Sequence, residues 1–199
     1  MNKLFIRFFD LFFSAAGLIL LSPFFFIIAL AVKVNSSGSV FYKQSRVGQN
    51  NKDFMLYKFR TMHSQADQKG LITVGEKDSR ITSIGYFLRK FKIDELPQLI
   101  NVLLGTMSLV GPRPEVRKYV NYYTEEQLKV LVVKPGITDF ASIEYANESE
   151  LLGLSANPDE TYIREIMPMK ILLNQKFIRN RTVRNYFHII FKTLIKVIG

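Results

Sequence analysis

The chain has 199 residues and a formal net charge of +10, and once an apolar N-terminal stretch is set aside about 150 residues remain, enough for one compact domain and implying no second. It contains no cysteine, which excludes disulfides and thiolate metal sites, and its two histidines, His63 and His188, lie far apart without the spacing of a zinc site. So basic a balance suits an anionic lipid surface, a phosphorylated substrate or nucleic acid.

Leu11 to Val32 reads LFFSAAGLILLSPFFFIIALAV. As one helix it would be about 33 Å long, close to the roughly 30 Å hydrocarbon thickness of a bilayer. Pro23 interrupts it, because proline has no N–H for the carbonyl of Ile19 and its ring clashes there. Ser22 is expected to relieve the site by bonding back to the carbonyl of Leu18. Each half is then about 16 Å long and reaches only mid-bilayer, which suits a hairpin that enters and leaves by one face. Lys3 and Arg7 precede the run and Lys33, Lys43, Arg46 and Lys52 follow it, so basic residues flank both ends and neither is an obvious outside. Residues 1–34 are therefore read as a re-entrant membrane hairpin broken at Ser22 and Pro23, with both ends on the cytosolic side. A kinked single crossing and a buried core helix are the alternatives. A removed signal peptide is disfavoured, since the run is too long and no small-residue cleavage site follows Val32.

Residues 35–199 are expected to form a cytosolic domain at the membrane interface, giving an α+β, mainly helical chain. Val40 to Tyr42 and Phe54 to Phe59 read as two strands of a hairpin around the polar loop Gly48 to Lys52. Gln65 to Asp78 reads as a mobile loop. Ile84, Phe87, Leu88 and Phe91 recur at helical spacing among Arg89, Lys90 and Lys92, a basic amphipathic helix that suits either the lipid interface or a core-packed position. Asp94-Glu95-Leu96-Pro97 starts a second helix that carries Leu99, Ile100, Leu103 and Leu104, and Gly105 ends it. Gly111-Pro112-Arg113-Pro114 predicts a stiff loop. Glu115 to Val133 reads as one helix, and Lys134-Pro135-Gly136 as a turn before Ile137 to Ile143. Helical spacing returns from Tyr162 with a break near Pro168. It ends in an interfacial helix whose apolar stripe is Phe187, Ile190, Phe191, Leu194, Ile195 and Ile198.

At a helix start Asp94 and Glu95 can reach one centre. Unpaired N–H groups there favour an ionised Asp94 able to attack phosphorus, and the pair is suited to a hard cation such as Mg2+. Acidic residues also favour any first helical turn, which is the structural alternative. Arg113, held between two prolines, offers a planar fork of donors to phosphate. Arg89 lies close before the carboxylates, and Lys58 and Arg60 alternate about Phe59 as a further anion site. Solvated or lipid-facing charge is the plain alternative for each cation.

The order of these pieces resembles the bacterial sugar transferases, the small monotopic phosphoglycosyl transferases. The resemblance rests on Ser22-Pro23, Tyr57-Lys58-Phe59-Arg60-Thr61-Met62, Asp94-Glu95-Leu96-Pro97-Gln98-Leu99-Ile100-Asn101-Val102, Met107 to Pro114, and Lys134-Pro135-Gly136-Ile137-Thr138, and covers almost the whole chain. It implies a reaction that starts the assembly of O-antigen, capsule, exopolysaccharide or glycoprotein glycans. Asp94 attacks the β-phosphate of a nucleotide sugar, usually a UDP-sugar, and the phosphosugar then passes to polyprenol phosphate. By the same resemblance Glu95 assists Asp94 and Mg2+, Arg89 holds phosphate, and Pro112-Arg113-Pro114 binds the nucleotide side. The implied place is the cytosolic face of the bacterial inner membrane, with a homodimer left open and no nucleic acid involved.

The chain departs from the family pattern at Thr106, where an aspartate is common, and at Asp139, Ser142 and Ala146, the last standing where an arginine is common. These departures predict a different sugar or a compensating cation such as Arg164. Two other readings stand beside the transferase: a membrane-anchored basic scaffold or nucleic-acid-binding protein, and an enzyme using Ser22 as nucleophile. No nucleic-acid motif supports the former, and no histidine lies near Ser22 for the latter.

Overall fold

A computed structural model describes residues 3–64, 66 and 78–198, with side chains from Leu4 to Lys196 within those bounds. The predicted loop Gln65 to Asp78 lies outside the described residues except for Ala66 and Asp78.

Helix α1 (Lys3–Asn35) is long and apolar enough to cross a membrane. It runs unbroken through Pro23, which corrects the expected helix-break-helix. The reason is local: Ser22 Oγ donates to the carbonyl of Ile19 at 2.8 Å. Ile19, not Leu18, owns the carbonyl that Pro23 leaves without a donor, so the hydroxyl replaces the missing bond and the helix continues.

Both halves of α1 rest on the same domain. In the first half Ile6 packs with Val110, Phe177, Tyr186 and Ile189, and Arg7 donates to the carbonyls of Val102 (2.6 Å) and Leu103 (2.9 Å). In the second, Ile28 and Val32 pack with Phe59 and Leu88. Each such side chain contributes about 1.5–3 kcal/mol by leaving water. Between the two contacts Ile19, Leu20, Ser22, Pro23 and Phe24 are exposed.

The predicted hairpin is present as β1 (Phe41–Val47) and β2 (Asp53–Phe59), antiparallel with Phe41 opposite Phe59 and Val47 opposite Asp53. Helix α2 (Ser83–Lys90) buries Leu88 and leaves Phe87 and Phe91 exposed. A left-handed Lys92 (φ 55°) turns the chain into a tight 3-10 turn, Ile93–Glu95, from which α3 (Gln98–Leu104) leaves, closed by Gly105 at φ 85° as expected. Asn101, almost fully buried on α3, ties that helix to the hairpin. Its Oδ1 accepts from Tyr57 N at 3.0 Å and its Nδ2 donates to the Met55 carbonyl at 2.8 Å.

Strand β3 (Ser108–Val110) pairs in parallel with β4 (Gly136–Thr138). The crossover between them was predicted as one helix from Glu115 to Val133. It is two short ones, α4 (Arg117–Val120) and α5 (Glu125–Leu128), because Thr124 and Gln127 form a reciprocal capping box that starts a new helix. Helices α6 (Phe140–Glu144), α7 (Glu148–Gly153) and α8 (Pro158–Thr161) follow. A π turn, Tyr162–Ile166, marks the expected irregularity before Pro168 and leads into α9 (Met167–Arg179). The last helix, α10 (Val183–Ile198), buries Tyr186 and Ile189, half-buries Phe187 and Ile190, and exposes Phe191, Leu194 and Ile195. The predicted stripe is thus divided between a core-facing and a bare apolar face. His63 and His188 are both exposed.

Candidate active site

The site forms where β2, the 3-10 turn and the loop after β3 converge. Asp94 and Glu95 are 5% and 8% exposed, although they sit side by side in sequence. Glu95 Oε1 accepts from Lys58 Nζ at 3.1 Å. The Arg113 fork grips the same carboxylate through both oxygens, Nη1 to Oε2 at 3.0 Å and Nη2 to Oε1. Asp94 differs: its Oδ1 is buried without a hydrogen-bond partner.

These surroundings separate the two acids. Arg113 and Lys58 outweigh burial and hold Glu95 well below the usual carboxylate range. Asp94 is pushed upward, first by burial and then by the neighbouring Glu95 charge, against the pull of Lys58, Arg89 and Lys92. Burial thus opposes the ionisation of Asp94 that the start of a helix is expected to favour, while the three cations support it. Burial likewise depresses Lys58, with Glu95 opposing it. Glu95 strengthens the Arg113 cation.

Arg89, in the last turn of α2, acts on Asp94 through its charge. Arg60 does not join this cluster. The residue after β2, it turns to α1, where Nη2 donates to the carbonyls of Val32 (3.2 Å) and Ser36 (2.7 Å) and to Ser36 Oγ (3.0 Å). A cation there complements the negative end of α1, and the alternation that predicted a shared face with Lys58 ends with the strand. Ser22, bonded to its own helix backbone, is also remote in role from these carboxylates.

The Pro112-Arg113-Pro114 loop is held by its backbone. The Pro112 carbonyl accepts from Gly136 N at 3.0 Å, and the Pro114 carbonyl from Arg46 Nη1 at 3.1 Å. A Cβ at Gly136 would fall 2.1 Å from Gly111 N, and one at Gly111 would fall 2.4 Å from the Lys134 carbonyl oxygen. The two glycine-containing motifs are therefore facing strands of one parallel pair, and side chains at these positions would separate them.

Sequence reasoning missed Arg46, Glu115 and Tyr162 beside the loop. Arg46 lies 3.5 Å from Glu115, which also accepts from the Tyr162 hydroxyl. Arg164 is no compensating cation at this site, because its largely exposed side chain pairs with Glu160 at 3.0 Å, one turn back. Thr106 bonds with Asn101 and supports α3.

Comparison with known proteins places this geometry in context. The bacterial sugar transferase family profile matches residues 1–199. The chain is similar to UDP-N-acetylgalactosamine-undecaprenyl-phosphate N-acetylgalactosaminephosphotransferase of Aeromonas hydrophila, 36% identical over 188 residues, covering 93% of this chain and 41% of that one. It is also similar to UDP-glucose:undecaprenyl-phosphate glucose-1-phosphate transferase of Escherichia coli (strain K12), 36% identical over 199 residues, covering 98% of this chain and 40% of that one. The uncharacterized sugar transferase EpsL of Bacillus subtilis (strain 168) is 49% identical over 116 residues, 58% of this chain and 56% of that one. The chain thus spans about two fifths of the length of the first two relatives. With its whole length matched by the family profile, the chain belongs to the bacterial sugar transferases.

Proposed function

We propose that the chain transfers a sugar-1-phosphate from a UDP-sugar to polyprenol phosphate, through a covalent intermediate on Asp94. The observation that carries this reading is Asp94 itself, a buried carboxylate with one oxygen unpartnered, set among Lys58, Arg89 and Arg113. In the first step an Asp94 oxygen attacks the β-phosphorus. The new O–P bond forms as the bond to the bridging oxygen breaks, and UMP leaves with that electron pair. In the second, an oxygen of polyprenol phosphate attacks the same phosphorus, forms the diphosphate and expels the Asp94 carboxylate. Carboxylates serve as such nucleophiles in other phosphoryl-transfer enzymes, and positioning with charge stabilisation supplies most of the catalysis.

Each surrounding group has a separate task. Lys58 and Arg113 hold Glu95 ionised beside Asp94, and Arg89 supplies positive charge for the diphosphate. The donor set suits Mg2+: two carboxylates are adjacent, and among the described residues Asp94 Oδ1 is buried without a hydrogen-bond partner. Mg2+ is commonly held by one or two carboxylates together with substrate phosphates. Asp94 and Glu95 would hold it, and when bound it would neutralise diphosphate charge.

The second substrate is a lipid, and α1 supplies the reason it can arrive. A crossing needs about 30 Å of helix free of the domain, whereas the domain packs on α1 on both sides of Ser22-Pro23, at Ile6 and Asp10 before it and at Phe25, Ile28 and Val32 after it. We therefore place α1 as re-entrant, helical throughout but bent at Ser22-Pro23, with both ends and the site at the cytosolic face of the inner membrane. The purified chain should release UMP from one of a panel of UDP-sugars, UDP-glucose and UDP-N-acetylgalactosamine included, in the presence of Mg2+ and polyprenol phosphate. No release from any donor in the panel would overturn the activity.

A further inference from the structure

Asp139 has the burial of a working residue. It is 0% exposed, at the junction of β4 and α6. Oδ1 accepts from Ser142 N at 2.5 Å and so caps α6. A cap needs one oxygen. The second oxygen reaches elsewhere: Oδ2 accepts from the backbone N–H of Arg113 at 2.9 Å and from Asn174 Nδ2 at 2.8 Å. Asn174 is itself 5% exposed on α9, near Ile171 and Phe177. Burying an amide is costly unless it is bonded, and the bond that the structure gives Asn174 is to Asp139.

We propose that Asp139, held by Asn174, is a positioning residue that fixes the backbone of Arg113 so that its fork meets Glu95. The inference rests on the reading of the Asp94–Glu95 pair as the reacting centre. Arg113 is flanked by prolines that lack N–H groups, so within Pro112-Arg113-Pro114 its own N–H is the sole backbone donor. Asp139 takes that donor. Its link to Arg113 spans 26 residues in sequence and fastens the loop after β3 to the start of α6. The side chain of Arg113 keeps 36% of its surface exposed, so packing contributes little to its direction, and the Asp139 bond adds a backbone anchor to the two-point grip of the fork on Glu95. Asp139 acts through Arg113 and not by touching substrate.

The test uses Asp139→Ser in the full chain, since serine still caps a helix but has no second oxygen. Hydrogen exchange at the Arg113 amide should quicken by at least about tenfold, and kcat/KM for the nucleotide sugar should fall on the order of tenfold or more. In an Arg113→Ala background the same substitution should cost no further activity. Asn157→Ala, which removes the cap of α8, serves as the stability control and should leave turnover unchanged. Should Asp139→Ser fail to fold, Asn174→Leu should raise exchange at the same amide. Unchanged protection at Arg113 would overturn the proposal, as would activity losses that simply multiply with Arg113→Ala. If the wild-type chain releases no UMP, the transferase reading fails, while exchange at Arg113 still decides whether Asp139 holds the loop.

Discussion

Asp94 and Glu95 are neighbours with opposite fates. Glu95 has its proton affinity lowered by Arg113 and Lys58, so its contribution to stability is present above its unfolded pKa and is lost as pH falls through the folded one. Asp94 has its affinity raised, so its contribution is present at low pH and is lost as pH rises through its folded value. The proposed nucleophile is thus ionised at a cost in stability. Asp94→Asn should abolish UMP release and at the same time raise the melting temperature at neutral pH, by about 2–4 °C for each kcal/mol relieved. A variant that turns over normally would remove Asp94 from the mechanism. Lys58 is the first of the charges that oppose the upward shift. Lys58→Gln should therefore move the acid limb of the pH–rate profile to higher pH. An unmoved or lowered limb would contradict the charge assignment.

Two short elements decide where Arg113 sits. Strands β3 and β4 have three residues each, and their backbones approach so closely that a methyl group on Gly136 would lie 2.1 Å from Gly111 N and 2.5 Å from its carbonyl oxygen. Neither neighbour is a flexible side-chain end. Gly136→Ala should cost roughly 1–3 kcal/mol or more and displace the arginine loop, so that a lower melting temperature and a lower kcat appear together. A variant as stable and active as wild type would show that the parallel pair is not needed. The strands were not legible in the sequence as strands, because three residues are too few to display a period of two. Their flanking motifs were legible as a stiff loop and a turn, and pairing across the crossover gave those motifs a common purpose. The hairpin, α2 and α3 were readable because each carries a full pattern, with Gly105 marking the end of α3.

Across the whole molecule, α1 is fastened at both ends. Near its start, the fully buried Asp10 accepts through Oδ1 from Ser108 Oγ (3.0 Å), Leu109 N (2.9 Å) and Tyr186 OH (2.7 Å). One carboxylate thus joins α1, β3 and α10. Asp10→Leu leaves three donors without an acceptor, at roughly 1–3 kcal/mol for each that stays dry. Detergent-purified protein should lose stability and expose the α10 segment to protease; unchanged protection would show that apolar packing suffices. Near its end, α1 is held by Arg60. The re-entrant geometry is tested by cysteines introduced singly at Asn2 and Ser37 in a chain that has none of its own. Both should react with an impermeant reagent from the same face of oriented vesicles, and reaction from opposite faces would establish a crossing.

The sequence alone determined what depends on neighbours along the chain: the apolar run with Pro23, the β hairpin, α3 with its Gly105 cap and the stiffness around Arg113, whereas Asp94 and Glu95, read as the start of α3, lie in a separate 3-10 turn before it. It also singled out the charged residues Lys58, Arg89 and Arg113 near those carboxylates. Only tertiary structure decided which charges meet. Lys58 and Arg113 bind Glu95, Arg60 goes to the end of α1, and Asp10, Asp139 and Asn174 acquire meaning from partners that can be reached only after folding. The physical reason is that periodicity and turn chemistry are local, whereas the burial that raises Asp94 and the ion pairs that lower Glu95 arise when distant segments exclude water together.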